Sequence, residues 1–140
     1  MTPEPSPGSE TILLVEQQKE FRSVIRRVLE SRGYRVLVAT NGDEALRVAM
    51  EFDRPGLPRQ LEIDLLVTNL DMPGVSGFEL GSLLAPAHPR MRILYLSADP
   101  PERFAEAAAS RPGSKLLAWP FTAEELARTV REALDAEPQW

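Results

Sequence analysis

The chain has 140 residues, 43% of them hydrophobic and 26% charged, which suits one globular domain with a core of its own. A formal net charge of −5 argues against the basic face that nucleic-acid binding needs. The absence of cysteine excludes a disulfide framework, a thiolate metal site and a cysteine nucleophile, and no apolar run approaches the ~20 residues of a membrane span.

In chain order, residues 1–10, "MTPEPSPGSE", carry prolines at positions 3, 5 and 7 and no basic-then-apolar pattern. They are expected to form a disordered leader rather than a signal peptide. The expected domain covers 11–136, and 137–140 form a short tail. Ile12 to Val15 is a continuous apolar run, as in a strand covered on both faces. Phe21, Val24, Ile25, Val28 and Leu29 recur at helical spacing, and Gly33 closes that helix. Tyr34 to Ala39 is a second strand. Asn41 is an N-cap with Glu44 at the third helical position, and the stripe continues through Leu46, Ala49 and Met50.

Residues 54–60, "RPGLPRQ", form a loop. Ile63 to Thr68 is the third strand. Ser76 and Glu79 make a capping-box pattern ahead of Leu80, Leu83 and Leu84, and Pro86 stops that helix. Met91 to Leu96 is the fourth strand. Asp99 and Pro100 open a fourth helix through Phe104 to Ala109. Leu116 to Ala118 is the fifth strand. Thr122 and Glu125 make a second capping box, before the Leu126, Val130 and Leu134 stripe of the last helix.

Five strand–helix pairs with doubly buried strands predict an α/β fold: a parallel sheet between two helical layers. In such sheets ligands bind beyond the carboxyl ends of the strands, at the switch in strand order. Those ends are Glu16-Gln17, Asn69, Ser97-Ala98 and Trp119-Pro120. They converge on one shallow pocket if the order is 2-1-3-4-5.

Five segments, "ILLVEQQ", "NGDEAL", "DLLVTNLDMPGVSGFEL", "ILYLSA" and "WPFTAEEL", stand in the order and spacing of one known family. Across residues 10 to 136 the chain resembles the receiver domain of two-component response regulators. The resemblance implies the flavodoxin-like doubly wound fold, three-layer αβα, with strand order 2-1-3-4-5. It also implies a chemistry in which a histidine kinase passes its phosphoryl group to an Asp at the end of the third strand. That Asp is the nucleophile. With two acids after the first strand it holds Mg²⁺. A hydroxyl after the fourth strand and a Lys after the fifth meet the phosphoryl oxygens.

Carried over by position, the acid pair falls on Glu16 and Gln17, the acceptor on Asn69, the hydroxyl on Ser97 and the Lys on Trp119. The aromatic that often reports activation falls on Leu116. One acid and the hydroxyl are kept; the second acid, the acceptor and the cation are lost. The expectation is a pseudo-receiver that needs no cofactor, binds magnesium weakly if at all, is not an enzyme, and acts by protein–protein binding in the cytoplasm. Its expected partner is a histidine kinase, a phosphotransfer protein or an output protein. A homodimer through the fourth helix, fifth strand and fifth helix is a further option, with Arg103, Glu106, Arg128 and Arg131 on that face. The alternative is an atypical receiver phosphorylated at Asp71, with Glu16 as a partial metal site.

Bland readings stand beside these. Asp71 reads as a solvated turn acid. Glu16 reads as an exposed rim carboxylate, and His88, the only histidine, as a surface residue. Trp119 is either a pocket plug or partner contact, or a packed core aromatic, and its bond to Pro120 admits the cis form. Arg22, Arg26 and Arg27 are either a docking patch or a solvated helix face. A nucleotide-binding or redox enzyme shares this architecture, but no G-x-G-x-x-G or P-loop pattern follows any strand. No output segment follows, so the chain reads as a single-domain regulator or as part of a longer protein.

Overall fold

The computed structural model describes residues 10–52, 62–70, 72, 74–97, 105 and 114–135. Its elements are β1 (Thr11–Val15), α1 (Lys19–Ser31), β2 (Arg35–Ala39), α2 (Gly42–Phe52), β3 (Leu65–Asn69), α3 (Gly77–Leu84), β4 (Arg92–Ser97), β5 (Lys115–Ala118) and α4 (Ala123–Asp135). Of the fourth helix expected at residues 99–109 only Ala105 is described, in helical conformation; the 54–60 loop and Asp71 lie outside the described residues.

The strands form one parallel sheet in the order β2-β1-β3-β4-β5. This is the flavodoxin-like arrangement. Its cause is legible along each strand, because successive side chains point to opposite faces. Ile12, Leu14, Leu65, Val67, Leu94 and Leu96 face α1 and α4, where Ile25, Leu29, Leu126, Val130 and Ala133 complete a buried cluster. Leu13, Val15, Leu66, Ile93 and Tyr95 face α2 and α3, where they meet Ala45, Ala49, Leu80 and Leu84. The two edge strands are the exceptions to double burial: in β2 Arg35 is exposed and Val36 to Val38 are half-buried, and in β5 Lys115 to Leu117 are half-buried and Ala118 is exposed.

Local chemistry sets the helix boundaries. Gly33 takes φ 95° just past α1. Asn41 Oδ1 accepts from Glu44 N at 2.8 Å, and Glu44 Oε1 accepts from Thr40 N at 2.8 Å, one residue before the cap. The Ser76–Glu79 capping box is complete in both directions. So is that of Thr122 and Glu125, at 2.9 and 3.0 Å.

Two strands run one residue further than their apolar runs suggest. Asn69 pairs with Leu96, and Ser97 pairs with Ala118. The ladder thus holds the backbone of two site residues. Gly77 closes the same corner: its N–H donates to Leu70 O at 3.1 Å, and a Cβ there would lie 2.1 Å from Asn69 O. Only glycine lets α3 start so close to the end of β3.

The folded body extends to Glu10, whose carbonyl accepts from Arg35 N and whose carboxylate accepts from Arg131 Nη2 at 2.7 Å. Arg131 also reaches Asp135 at 2.8 Å and the Tyr34 hydroxyl at 3.3 Å. These partners hold its pKa above the usual arginine value and pull the Asp135 carboxyl below its own. Arg131 was expected on an exposed output face; it is instead bound into this network.

His88 is also corrected. It is 2% exposed, and its Nδ1 accepts from Ile63 N at 3.3 Å. The loop residues on either side stay exposed, while the ring turns inward and holds the segment entering β3.

Candidate functional site

The order of the sheet fixes where a site forms. From β1 the chain crosses to β2 on one side, and β3 lies on the other, so the carboxyl ends of β1 and β3 flank the switch point. Glu16 follows β1, and Asn69 ends β3.

Glu16 is 3% exposed, not a rim carboxylate. The β1–α1 turn folds it inward, and both its oxygens are used. Oε1 accepts from Asn69 Nδ2 at 2.7 Å, and Oε2 accepts from Gln18 N at 2.8 Å. A carboxylate only accepts, so the Asn69 amide presents its nitrogen here. Its distance is that of a charge-assisted hydrogen bond. Gln17 is exposed, and its carbonyl, with that of Glu16, accepts from Arg22 Nη1 at 3.3 and 2.9 Å. Arg22 is therefore a clamp on the β1–α1 turn. Arg26 pairs with Glu30 along α1 at 3.1 Å, with both side chains about half exposed.

Ser97 is buried at the end of β4, and its carbonyl accepts from Trp119 N at 3.0 Å. Trp119 is half-buried, and its bond to Pro120 is cis. Trp119 packs against the α1–α4 core and also lines an open groove. Its ring lies 4.8 Å from Phe21 and 4.3 Å from Phe121, tilted by 47° and 34°. Leu116 is half-buried on the opposite face, with the α2–α3 cluster.

The groove has a volume of about 890 Å³. Glu16, Asn69 and Ser97 lie at its inner end, and Phe21, Val24, Ile25, Trp119, Phe121 and Leu126 supply most of its wall. Phe21 (42% exposed) and Val24 (58% exposed) were read as part of a core stripe. Only Ile25 and Leu29 of that stripe are fully buried, with Val28 half-buried. The site thus holds two aromatics, Phe21 and Phe121, at positions to which the family resemblance assigns no role. The available signal was the Trp-Pro-Phe run after the fifth strand, opposite an aromatic in the first turn of α1. Asp71 lies outside the described residues, as do Arg103 and Glu106. Among the described residues, no group of three or more His, Cys, Asp or Glu side chains is placed to hold a metal ion.

A parallel sheet in this order, with an acid after β1, a polar end to β3 and a hydroxyl at the end of β4, has the architecture of a signalling receiver. The family model for the response regulator receiver domain matches residues 12–131, and the chain belongs to that family. It is 33% identical over 130 residues to the sensor kinase CckA of Brucella abortus, covering 93% of this chain and 13% of that protein. It is 32% identical over 123 residues to the response regulator MprA of Mycobacterium leprae, covering 88% of this chain and 50% of MprA. The chain thus spans only part of these relatives.

Among solved structures, the receiver domain of the hybrid histidine kinase CckA matches at 30% identity and a TM-score of 0.69, covering 89% of this chain and 99% of that one. A response regulator receiver protein from Sinorhizobium medicae matches in fold, with a TM-score of 0.76 at 24% identity, covering 91% and 96%. No helix among the described residues is long and apolar enough to cross a membrane.

Proposed function

We propose that this chain is a pseudo-receiver: a two-component signalling module that acts by binding a protein partner, without a phosphorylation switch of its own. The observation that carries this reading is the Asn69–Glu16 hydrogen bond at 2.7 Å. Where the family places a nucleophilic carboxylate, this chain has a carboxamide, which is too weak a nucleophile to form an acyl phosphate. The amide also donates into the remaining acid, so each group has a hydrogen-bond partner without a metal or a phosphoryl group.

Magnesium fits this set of residues poorly. The ion prefers charged oxygens in near-octahedral array. Glu16 has neutral N–H donors on both oxygens, Asn69 presents nitrogen, and Gln17 is exposed. The position of the Lys that would meet a phosphoryl charge holds Trp119, which has no charge to give. Three replacements at one site, all removing charge, support release from phosphoryl transfer more strongly than any one alone.

On this reading the module is not an enzyme, needs no cofactor, and works in the cytoplasm, where two-component partners meet. The partner class is a histidine kinase, a phosphotransfer protein or an output protein, or a second copy of the chain. The domain runs from about residue 11 to 136.

The test is intact mass after incubation with magnesium and acetyl phosphate. The natural chain is compared with a Gln17→Asp, Asn69→Asp, Trp119→Lys variant. Only the variant is expected to gain a base-labile phosphoryl adduct. An adduct on the natural chain overturns the proposal and directs peptide mapping to Asp71, the alternative acceptor.

A further inference from the structure

The groove between α1, α4 and the carboxyl edge of the sheet has two unlike parts. Its wall is apolar and aromatic, from Phe21, Val24, Ile25, Trp119, Phe121 and Leu126. Its inner end carries Glu16, which is the one ionisable side chain among the described residues that line it and is 3% exposed. Both donors to that carboxylate, Asn69 Nδ2 and Gln18 N, are neutral. The guanidinium of Arg22 donates to the carbonyls of Glu16 and Gln17. Each carboxylate oxygen accepts up to two hydrogen bonds, so beyond the described donors one acceptor site on each is left. A buried anion whose described donors are neutral gains further from an opposite charge brought within ~4–6 Å.

From this geometry we infer a binding site for a small organic cation: an aromatic or branched apolar body bearing one ammonium group. The ammonium sits at Glu16, and the body lies against Trp119, Phe21 and Phe121. Three features agree. The volume, about 890 Å³, lies within the ~300–1,000 Å³ of small-molecule pockets. Such pockets are mostly apolar with a few converging polar groups, as here. The aromatic rings attract a nearby cation through their quadrupoles, so wall and floor favour the same sign of charge. An inorganic divalent ion has no apolar body to bury against the wall, and a neutral aromatic has no charge to pair with Glu16.

The inference does not depend on whether the chain is phosphorylated. Its test uses the natural chain and three probes of nearly one shape: 2-(1-naphthyl)ethylamine, 2-(1-naphthyl)ethanol and 1-naphthylacetate. Binding is followed by the NMR shifts of the Gln18 amide and the Trp119 indole. The amine is expected to bind at least about tenfold more tightly than the alcohol, and the acetate more weakly than both. Glu16→Gln is expected to abolish the preference of amine over alcohol while leaving alcohol binding in place. Equal binding of amine and alcohol by the natural chain marks a charge-blind apolar groove and overturns the inference. So does a preference that survives Glu16→Gln, displacement of the amine by magnesium, or no shift at either reporter with the amine at its solubility limit. The comparison of probes on the natural chain decides the matter even if the variant does not fold.

Discussion

Converting Asn69 to aspartate puts the electrostatics of the pair to direct trial. Asn69 Nδ2 lies 2.7 Å from Glu16 Oε1, so the variant faces one carboxylate with another across a former hydrogen bond. Charge centres about 4 Å apart repel by about 4 kcal/mol at an effective dielectric of about 20. The lost hydrogen bond to a charged group adds about 1.5–3 kcal/mol. Asn69 is partly exposed, so water and a small shift of the side chain relieve part of the total. The net expectation is a loss of about 2–4 kcal/mol at neutral pH, or roughly 10 °C in Tm for a domain of this size.

The sign of the pH dependence follows from proton sharing. The folded Asn69→Asp protein binds a proton between the two acids more tightly than the unfolded chain does, so its deficit shrinks as pH falls. Asn69→Ala loses only the hydrogen bond and should show a nearly pH-independent deficit. Magnesium should restore part of the stability of Asn69→Asp and none of Asn69→Ala. Thermal melts at acidic, neutral and alkaline pH, with chelator or magnesium, read all of this. A natural-like Tm for Asn69→Asp at neutral pH in chelator, or a deficit that does not change with pH, would refute the reasoning.

Other expectations follow from the same contacts. Trp119→Ala removes the ring between Phe21 and Phe121 and should cost about 2 kcal/mol in urea denaturation, less than for a fully buried aromatic. A double-mutant cycle with Phe21→Ala should show coupling of about 0.5–1.5 kcal/mol. Gly77→Ala drives a Cβ to 2.1 Å from Asn69 O, so α3 must shift; a loss of about 3 kcal/mol and altered NMR shifts at Asn69 are expected. Burial is the main cause that raises the Asp64 carboxyl pKa, opposed by its hydrogen bond from Thr11 N at 2.8 Å. An acid with a raised folded pKa makes the protein gain stability as pH falls through that range. Asp64→Asn keeps an acceptor for Thr11 and removes the ionisation penalty. It should be at least as stable as the natural chain at neutral pH and should flatten this part of the pH–stability profile.

Most of the fold was legible because its determinants are local. Apolar runs gave the strands, and the Ser76–Glu79 and Thr122–Glu125 boxes gave helix starts that the hydrogen bonds match. What escaped depends on contacts between distant segments. The apolar stripe of α1 is one continuous face in sequence, but its first turn lies beyond the strand ends. Phe21 and Val24 therefore meet Trp119 and open space rather than the sheet. Arg131 finds Glu10 across 121 residues, which no helical period reports. His88 sits between prolines, a pattern typical of surface loops, yet its ring turns inward while Pro86, Ala87 and Pro89 stay exposed. At the site, the positions of Glu16, Asn69, Ser97 and Trp119 were legible from strand ends, whereas the burial of Glu16 and the aromatic wall were not.

The five strands also act as a partition. Every buried apolar side chain of the inner strands belongs to one of two separate cores, and none of them packs in both. Substitutions on opposite faces, such as Val130→Ala and Leu80→Ala, should therefore combine additively in free energy. Among the described residues, the backbone ladder and the corner where Gly77 meets Asn69 both link the aromatic groove to α3. At that corner a shift on one face of the sheet can be passed to the other.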